Sequence, residues 1–137
     1  MPRYAIKAEV GRPYDEVVAA TKAALASEGF GVLTEIDVKA TMKKKLDRDI
    51  RPYVILGACN PPNAFKVLSA EPDIGLMLPC NVVVYENEQG KTVVAAIDPK
   101  VAMESVNNPE IAPVADMIAG RLRRVIEAVK STEPTKA

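Results

Sequence analysis

The alternation of apolar and polar residues in the first part of the chain predicts a strand, a helix and a second strand. Residues 4–10 alternate loosely in polarity, which is typical of a strand with one solvated face. Residues 14–28 carry an apolar stripe at helical spacing, with Pro13 suited to the first turn and Gly29 to the C-terminal cap. Residues 30–37 alternate again and are rich in β-branched and aromatic side chains, so they predict a second strand.

The middle of the chain predicts two further strands, each preceded by a helical segment. Residues 39–48 are rich in helix-forming residues, and residues 51–58 contain a continuous apolar run that is typical of a strand covered on both faces. A short helix over residues 63–68 leads to a fourth strand over residues 74–86. Pro79 interrupts this strand, which suggests a bulge or an edge position.

The last third of the chain predicts a hairpin strand and a long helix. Residues 92–97 resume the apolar pattern after a polar connection, so they pair with the fourth strand in a hairpin. Residues 100–106 suit a short helical turn. Beyond Pro113 the apolar positions recur at helical spacing as far as Val129, which predicts an amphipathic helix packed on a sheet.

The order of these elements predicts an α+β fold in two layers. Consecutive strands flanked by helices favour an antiparallel sheet of about five strands with helices on one face, in the order β-α-β(4)-α. The length of 137 residues suits one domain, which we place at residues 1–132, followed by a frayed C-terminal tail at residues 133–137.

Both faces of the predicted strands carry apolar side chains, which predicts a homodimer. Alternate positions of the fourth strand are apolar on either side: Leu76, Leu78 and Val82 against Met77, Val83 and Tyr85. Helices on one face bury only one of these sets. Burial of the other set by a second copy is the economical explanation.

The charge balance weighs against a nucleic-acid binder. Eighteen basic and eighteen acidic residues cancel, whereas nucleic-acid binding leaves a basic excess. The run Lys43 to Lys45 suits either a phosphate-binding patch or a solvated helix face. Asp47 and Asp49 follow at once, so we favour the solvated face and expect no nucleic-acid partner.

The residue types that are missing from the sequence exclude several kinds of site. The chain has no histidine, which removes the usual general base and the commonest metal ligand. Its N-terminus lacks the apolar core of a secretory signal, and no apolar run is long enough to span a membrane. We therefore expect a soluble cytoplasmic protein with no membrane partner, whose cysteines are free thiols.

Both cysteines precede an asparagine, and both pairs adjoin a predicted strand. Cys59-Asn60 follows the apolar run of the third strand, and Cys80-Asn81 lies in the fourth. If these strands are antiparallel neighbours, the end of one lies against the start of the other. The pattern therefore predicts one small site with two thiols and two carboxamides.

Each of these residues also has a structural interpretation. Free cysteine is among the most buried residue types, so Cys59 and Cys80 are equally compatible with core packing. Two thiolates with Met77 or Met103 nearby would suit a soft ion such as Cu(I), but no C-x-x-C spacing is present, and we assign no metal site and no cofactor.

The polar candidates have structural alternatives as well. Asn60 and Asn81 suit either ligand binding or hydrogen bonding to the backbone at strand ends. Asp37 and Asp98 each end a strand and are candidate acids, bases or ligands, although forming turns is the ordinary role of such residues.

Four segments of the chain resemble a known family. Residues 28–37, 53–61, 74–84 and 97–99 are similar to the bacterial and archaeal family called domain of unknown function 302, and the resemblance extends from Tyr4 to Lys130. It implies a fold like that of the TATA-binding protein, often as a dimer. It implies no established activity.

Three functions are compatible with the sequence. We prefer a dimeric binding module that holds a small molecule, a sulfur species or a soft metal near the two Cys-Asn pairs. The alternatives are an enzyme with Cys59 or Cys80 as nucleophile and a purely structural adaptor. The module is preferred because a cysteine nucleophile is commonly activated by histidine, and the chain has none.

Overall fold

The computed structural model describes residues 2–131, and it contains one five-stranded antiparallel sheet. The strand order is β1-β5-β4-β3-β2. The strands are β1 (Ala5–Val10), β2 (Gly31–Asp37), β3 (Tyr53–Cys59), β4 (Cys80–Glu86) and β5 (Thr92–Ile97). The predicted frayed tail, residues 133–137, lies outside the described residues.

Five α-helices and two 3₁₀ turns connect or follow the strands. The helices are α1 (Tyr14–Ser27), α2 (Val38–Leu46), α3 (Pro61–Ala70), α4 (Pro99–Ala102) and α5 (Ala112–Ser131). The 3₁₀ turns span Pro72–Met77 and Glu104–Val106. Within residues 2–131 no helix combines the length and the apolar character that a membrane crossing requires.

One face of the sheet forms the hydrophobic core with the two long helices. Alternate residues of the central strands, such as Leu56 and Val82, are fully buried against Leu25 of α1 and Leu122 of α5. Because side chains alternate along a strand, this arrangement uses every second residue. The predicted α+β class, with a two-layer arrangement of sheet and helices, is confirmed.

The end of α1 shows how local sequence sets an element boundary. Gly29 has a φ of 82°, a left-handed conformation that glycine adopts without steric cost. This lets the Phe30 N–H donate back to the Leu25 carbonyl over 2.9 Å, as in a Schellman cap. The chain then turns directly into β2.

The fourth strand begins later than predicted. It starts at Cys80, and the preceding residues form the first 3₁₀ turn, in which Ile74 packs against Val67 and Ile111 in a small second cluster. Pro79 therefore precedes the strand and does not interrupt it. The strand lies between β3 and β5, so the predicted edge position is wrong; the register irregularity lies in β2 instead.

The opposite face of the sheet, here called the outer face, is also largely apolar. The register places Ala95, Val83, Ile55 and Ile36 side by side across four strands. Tyr53 and Tyr85 stack in the next row, with ring centroids 5.3 Å apart. These side chains alternate with the core residues and point away from the layer formed by α1 and α5.

Candidate functional site

A cavity of about 40 Å³ lies at the end of the sheet where β3 finishes and β4 begins. Its wall is completed by residues of α3, α5 and the start of α4. The wall is mostly apolar, with Phe30, Val67 and Ile118 among its members, and none of its residues is charged. Both cysteines border it, so the cavity is the natural place to test the predicted site.

The two cysteines meet the cavity in different ways. Cys80 pairs with Ala58 across the strands and is 7% exposed, whereas Cys59 is half-buried at the end of β3. Both are free thiols, and both belong to the wall of this one cavity.

The environment of Cys80 keeps its thiol protonated. Burial raises the pKa of Cys80 to about 11, and the nearby Cys59 thiol adds to the rise. Desolvation acts in this direction because it disfavours the charged thiolate. Cys80 is therefore a neutral, weakly polar wall group at pH 7.

Asn60 is buried and its carboxamide is used by the protein itself. Its side chain caps α3, where Oδ1 accepts from the Asn63 backbone N–H over 3.3 Å. Its Nδ2 donates to the Gly29 carbonyl over 3.2 Å, which joins α3 to the end of α1. These bonds to backbone groups determine which side-chain atom of Asn60 is the oxygen and which is the nitrogen. They also give Asn60 a structural role at the cavity.

Asn63 is a cavity residue that the sequence interpretation missed. It is 7% exposed, and its Nδ2 donates to Asn60 Oδ1 over 2.8 Å and to Met117 Sδ over 3.9 Å. Its Oδ1 accepts no hydrogen bond from the described residues. Among these residues, every side-chain N or O atom that is fully buried has a hydrogen-bond partner, so Asn63 Oδ1 is not fully buried. This oxygen is therefore accessible and available to accept a hydrogen bond, on a residue that lines the cavity. The spacing of two asparagines three residues apart at a helix start was the available signal.

Asn81 lies elsewhere. It pairs with Gly57 in the sheet, is exposed, and points to the outer face, away from the core side on which Cys80 lies. The two carboxamides of the Cys-Asn pairs are consequently not brought together.

The two aspartates cap helices. Asp37 is exposed and accepts from the Ala40 N–H over 2.9 Å at the start of α2. Asp98 is buried, accepts from the Lys100 N–H over 3.0 Å, and pairs with Arg123 over 3.3 Å. Asp98 adjoins the cavity only through the next residue, Pro99, which lines it.

The sulfur groups and the lysine run are placed as follows. Met103 lines the cavity, whereas Met77 does not. Residues 2–131 contain no cluster of three or more histidine, cysteine, aspartate or glutamate side chains suited to hold a metal ion. Lys43 forms ion pairs with Asp47 and Asp49 on the exposed surface of α2.

Comparison with known proteins gives a family and a structural relative. The family model described as "Domain of unknown function DUF302" matches residues 6–129. A crystal structure of an uncharacterized conserved protein DUF302 from Bacillus stearothermophilus is 29% identical, covers 93% of this chain and 99% of that one, and superposes with a TM-score of 0.86. No curated protein matches. The likeness to the TATA-binding protein that the resemblance implied stays a prediction.

Proposed function

This chain belongs to the family described as Domain of unknown function DUF302, and from the cavity that it forms we propose a module that binds a small uncharged molecule. One observation carries the proposal: an uncharged wall borders about 40 Å³ and includes Asn63, whose carboxamide oxygen accepts no hydrogen bond from a described residue. Binding sites are typically apolar with a few placed polar groups.

The chemistry of the wall favours a neutral ligand that donates one hydrogen bond. A charged group in this cavity would lose its hydration without gaining a counter-ion from the wall. Asn63 Oδ1 would accept the ligand's donor, and Cys80 would contribute a neutral thiol. A small alcohol, thiol or amide group has the required character.

The same pKa argues against an enzyme with Cys80 as nucleophile. With a pKa of about 11 the thiol is ionised in roughly one molecule in ten thousand at pH 7. The thiolate is the reacting species, so Cys80 is suited to packing and binding and poorly suited to attack.

A soft metal is a second candidate because three sulfur residues, Cys59, Cys80 and Met103, border the cavity. Thiolates and thioethers suit Cu(I). Anaerobic competition for Cu(I) against the chelator bathocuproine disulfonate tests this candidate. Retention of one Cu(I) per chain by the protein, and its loss in Cys80→Ala, would favour the metal.

Titration with ethanol and ethanethiol, followed by ¹⁵N–¹H spectra, tests the proposed ligand class. We expect saturable shifts of the Asn63 side-chain amide, with a dissociation constant of about 1 mM or weaker because so few atoms bind. Ala64→Leu, which fills the cavity from α3, should abolish the shifts. Ser69→Leu, on the exposed part of the same helix, should leave them unchanged. Absence of shifts in the unsubstituted protein would favour the structural adaptor.

We also propose that the module is a homodimer in which a second copy covers the outer face. The support is the apolar part of one row, Ala95, Val83, Ile55 and Ile36, which ends at Lys7 on the edge strand β1, together with the stacked tyrosines of the neighbouring row. A large exposed apolar patch marks an interaction site. Its charges, Lys7 and Glu9, lie on the edge strand β1, so the apolar centre of the face suits a second copy of the same face.

A further inference from the structure

The cavity and a surface groove share part of their walls. The groove, of about 620 Å³, lies between the second 3₁₀ turn and the start of α5. Met103 and Ala115 line both the cavity and the groove. These two side chains therefore stand where the small cavity and the much larger surface groove adjoin.

The two voids differ in size and in chemistry. At about 10–15 Å³ for each water-sized sphere, the cavity has room for only a few atoms, whereas ligand sites usually measure about 300–1,000 Å³. The groove is large enough for the body of a metabolite, and its wall combines apolar residues with charged and polar ones such as Lys100, Asn107 and Asp116. The uncharged cavity is therefore adjacent to a larger void that also offers polar groups.

We propose that this groove is the mouth of the cavity, that Met103 is its gate, and that the ligand is amphipathic. The inference rests on the proposed function and narrows its ligand class. The ligand places a small uncharged end in the cavity beside Asn63 Oδ1, and its larger polar body lies in the groove. A molecule that is apolar throughout would leave the charged and polar side chains of the groove, such as Lys100 and Asp116, without partners.

Met103 is suited to be the gate. It is half-buried, and it follows directly after the four-residue α4 and precedes the second 3₁₀ turn. Its side chain is unbranched and has three rotatable bonds, so it can change rotamer without disturbing the backbone. The other shared wall residue, Ala115, has no side-chain rotamers to change.

The charged side chains of the groove can change their positions. Lys100 and Asp116 form an ion pair across 3.5 Å, and both side chains are more than half exposed. Exposed pairs of this kind hold their geometry weakly. Both charges are therefore available to a polar ligand body that carries both donor and acceptor groups.

Cys80 is a built-in reporter of access to the cavity. In a Cys59→Ala background it is the single thiol, and methyl methanethiosulfonate reports its accessibility. The Cys80 thiol releases its proton to solvent, and its sulfur bonds to the methylthio sulfur of the reagent. The S–SO₂ bond breaks at the same time, and methanesulfinate leaves with the electron pair. Intact mass gives the rate of methylthiolation.

Two variants test the gate. We expect Met103→Ala to accelerate modification of Cys80 at least about tenfold by lowering the barrier to entry. The matched control, Met77→Ala, removes a methionine that lines neither void and should change the rate less than about twofold. Ala112→Phe places a bulky side chain in the exposed groove wall and should slow the reaction.

Rates in low urea separate gating from unfolding. Labelling through global unfolding rises steeply with urea, whereas labelling through a local gate depends on it weakly. An unchanged rate in Met103→Ala, or an acceleration with the urea dependence of global unfolding, overturns the inference. If ethanethiol still binds in that case, the proposed function survives and only the route is wrong. If Met103→Ala accelerates labelling but ethanethiol does not bind, the mouth stands and the proposed function falls.

Discussion

Cys80 is a thiol whose protonated form the fold stabilises. Its pKa rises from the ordinary 9.0 to about 11, chiefly through burial. Below pH 9 the thiol is protonated in both the folded and the unfolded chain, so the full stability that the neutral thiol allows is present. Between about pH 9 and 11 only the unfolded chain ionises, and the contribution is lost as the pH rises.

We therefore predict that the ionisation of Cys80 lowers the free energy of unfolding by about 2–3 kcal/mol between about pH 9 and 11. Urea denaturation of Cys59→Ala between pH 8 and 11 measures it, with the same series in Cys59→Ala/Cys80→Val as control. Tyr14, whose pKa burial raises to about 12, titrates in both proteins and cancels. Parallel pH profiles for the two proteins would contradict the assignment.

Gly57 is required by a close approach on the outer face. A Cβ atom there would lie 2.2 Å from Thr34 Oγ1 and 2.7 Å from Pro79 Cγ. Gly57→Ala should lower the free energy of unfolding by about 1–3 kcal/mol because the two neighbours must move. Gly31→Ala, where a Cβ meets no atom within 4 Å, should change it by less than about 0.5 kcal/mol. Equal values from urea denaturation would refute the packing argument.

The two Cys-Asn pairs show what a sequence echo leaves undetermined. The first pair ends β3, so Asn60 leaves the strand and caps α3. The second pair begins β4, so Asn81 stays in the strand and points to the outer face. One dipeptide ends a strand and the other begins one, so strand register and helix capping decide where each side chain points. The local sequence does not encode either of these.

At the scale of elements, the carboxamide of Asn60 joins the start of α3 to the end of α1. Asn60→Ala removes the α3 cap and leaves the Gly29 carbonyl and the Asn63 amide without their partner. We predict a loss of about 2–4 kcal/mol in the free energy of unfolding, because buried polar groups become unsatisfied. The matched variant Asp37→Ala removes an exposed cap and should cost about 1 kcal/mol.

Thermal and urea denaturation of the two cap variants decide this prediction. A smaller loss in Asn60→Ala than in Asp37→Ala would show that the bonds around Asn60 do not stabilise the fold. The Asn60 variant should also weaken ethanethiol binding, because Asn63 loses the acceptor that orients its side chain.

The elements that the sequence predicted well are those with a long periodic pattern. The α1 and α5 stripes and the β4–β5 hairpin follow directly from helical and strand spacing. The start of β4 does not, because an apolar run does not distinguish a strand from a turn. In the 3₁₀ turn Ile74 is buried in the small cluster, whereas Leu76 is 90% exposed, and only tertiary packing decides this difference.

At the scale of the whole molecule, the order of elements was enough to predict the fold class. The Cys-Asn pairs pointed to Cys59, Asn60 and Cys80, but the rest of the cavity wall was not predictable, because it is assembled from segments far apart in the chain, from Phe30 to Ile118. No local pattern marks Met103 or Ala115 as shared between two voids. Such a site arises from how the helices α3, α4 and α5 cover one end of the sheet.

The outer face leads to the remaining prediction, which concerns assembly. Five strands about 4.8 Å apart, each with three outward residues, form a surface about 20 Å by 20 Å, or roughly 400 Å² before side-chain relief is counted. Stable interfaces bury about 800 Å² per partner, and weak ones less. A dimer through this face should therefore be concentration-dependent.

We predict a monomer–dimer equilibrium in sedimentation velocity between about 1 and 100 µM, because the area of this face is smaller than that of stable interfaces and suits a weak one. Ile55→Lys places a charge at the centre of the outer face and should shift the equilibrium to monomer. Gln89→Lys makes a similar charge change in the exposed β4–β5 turn and should leave it unaltered. A monomer throughout this range, or a dimer that Ile55→Lys does not weaken, would mean that a second copy does not cover this face.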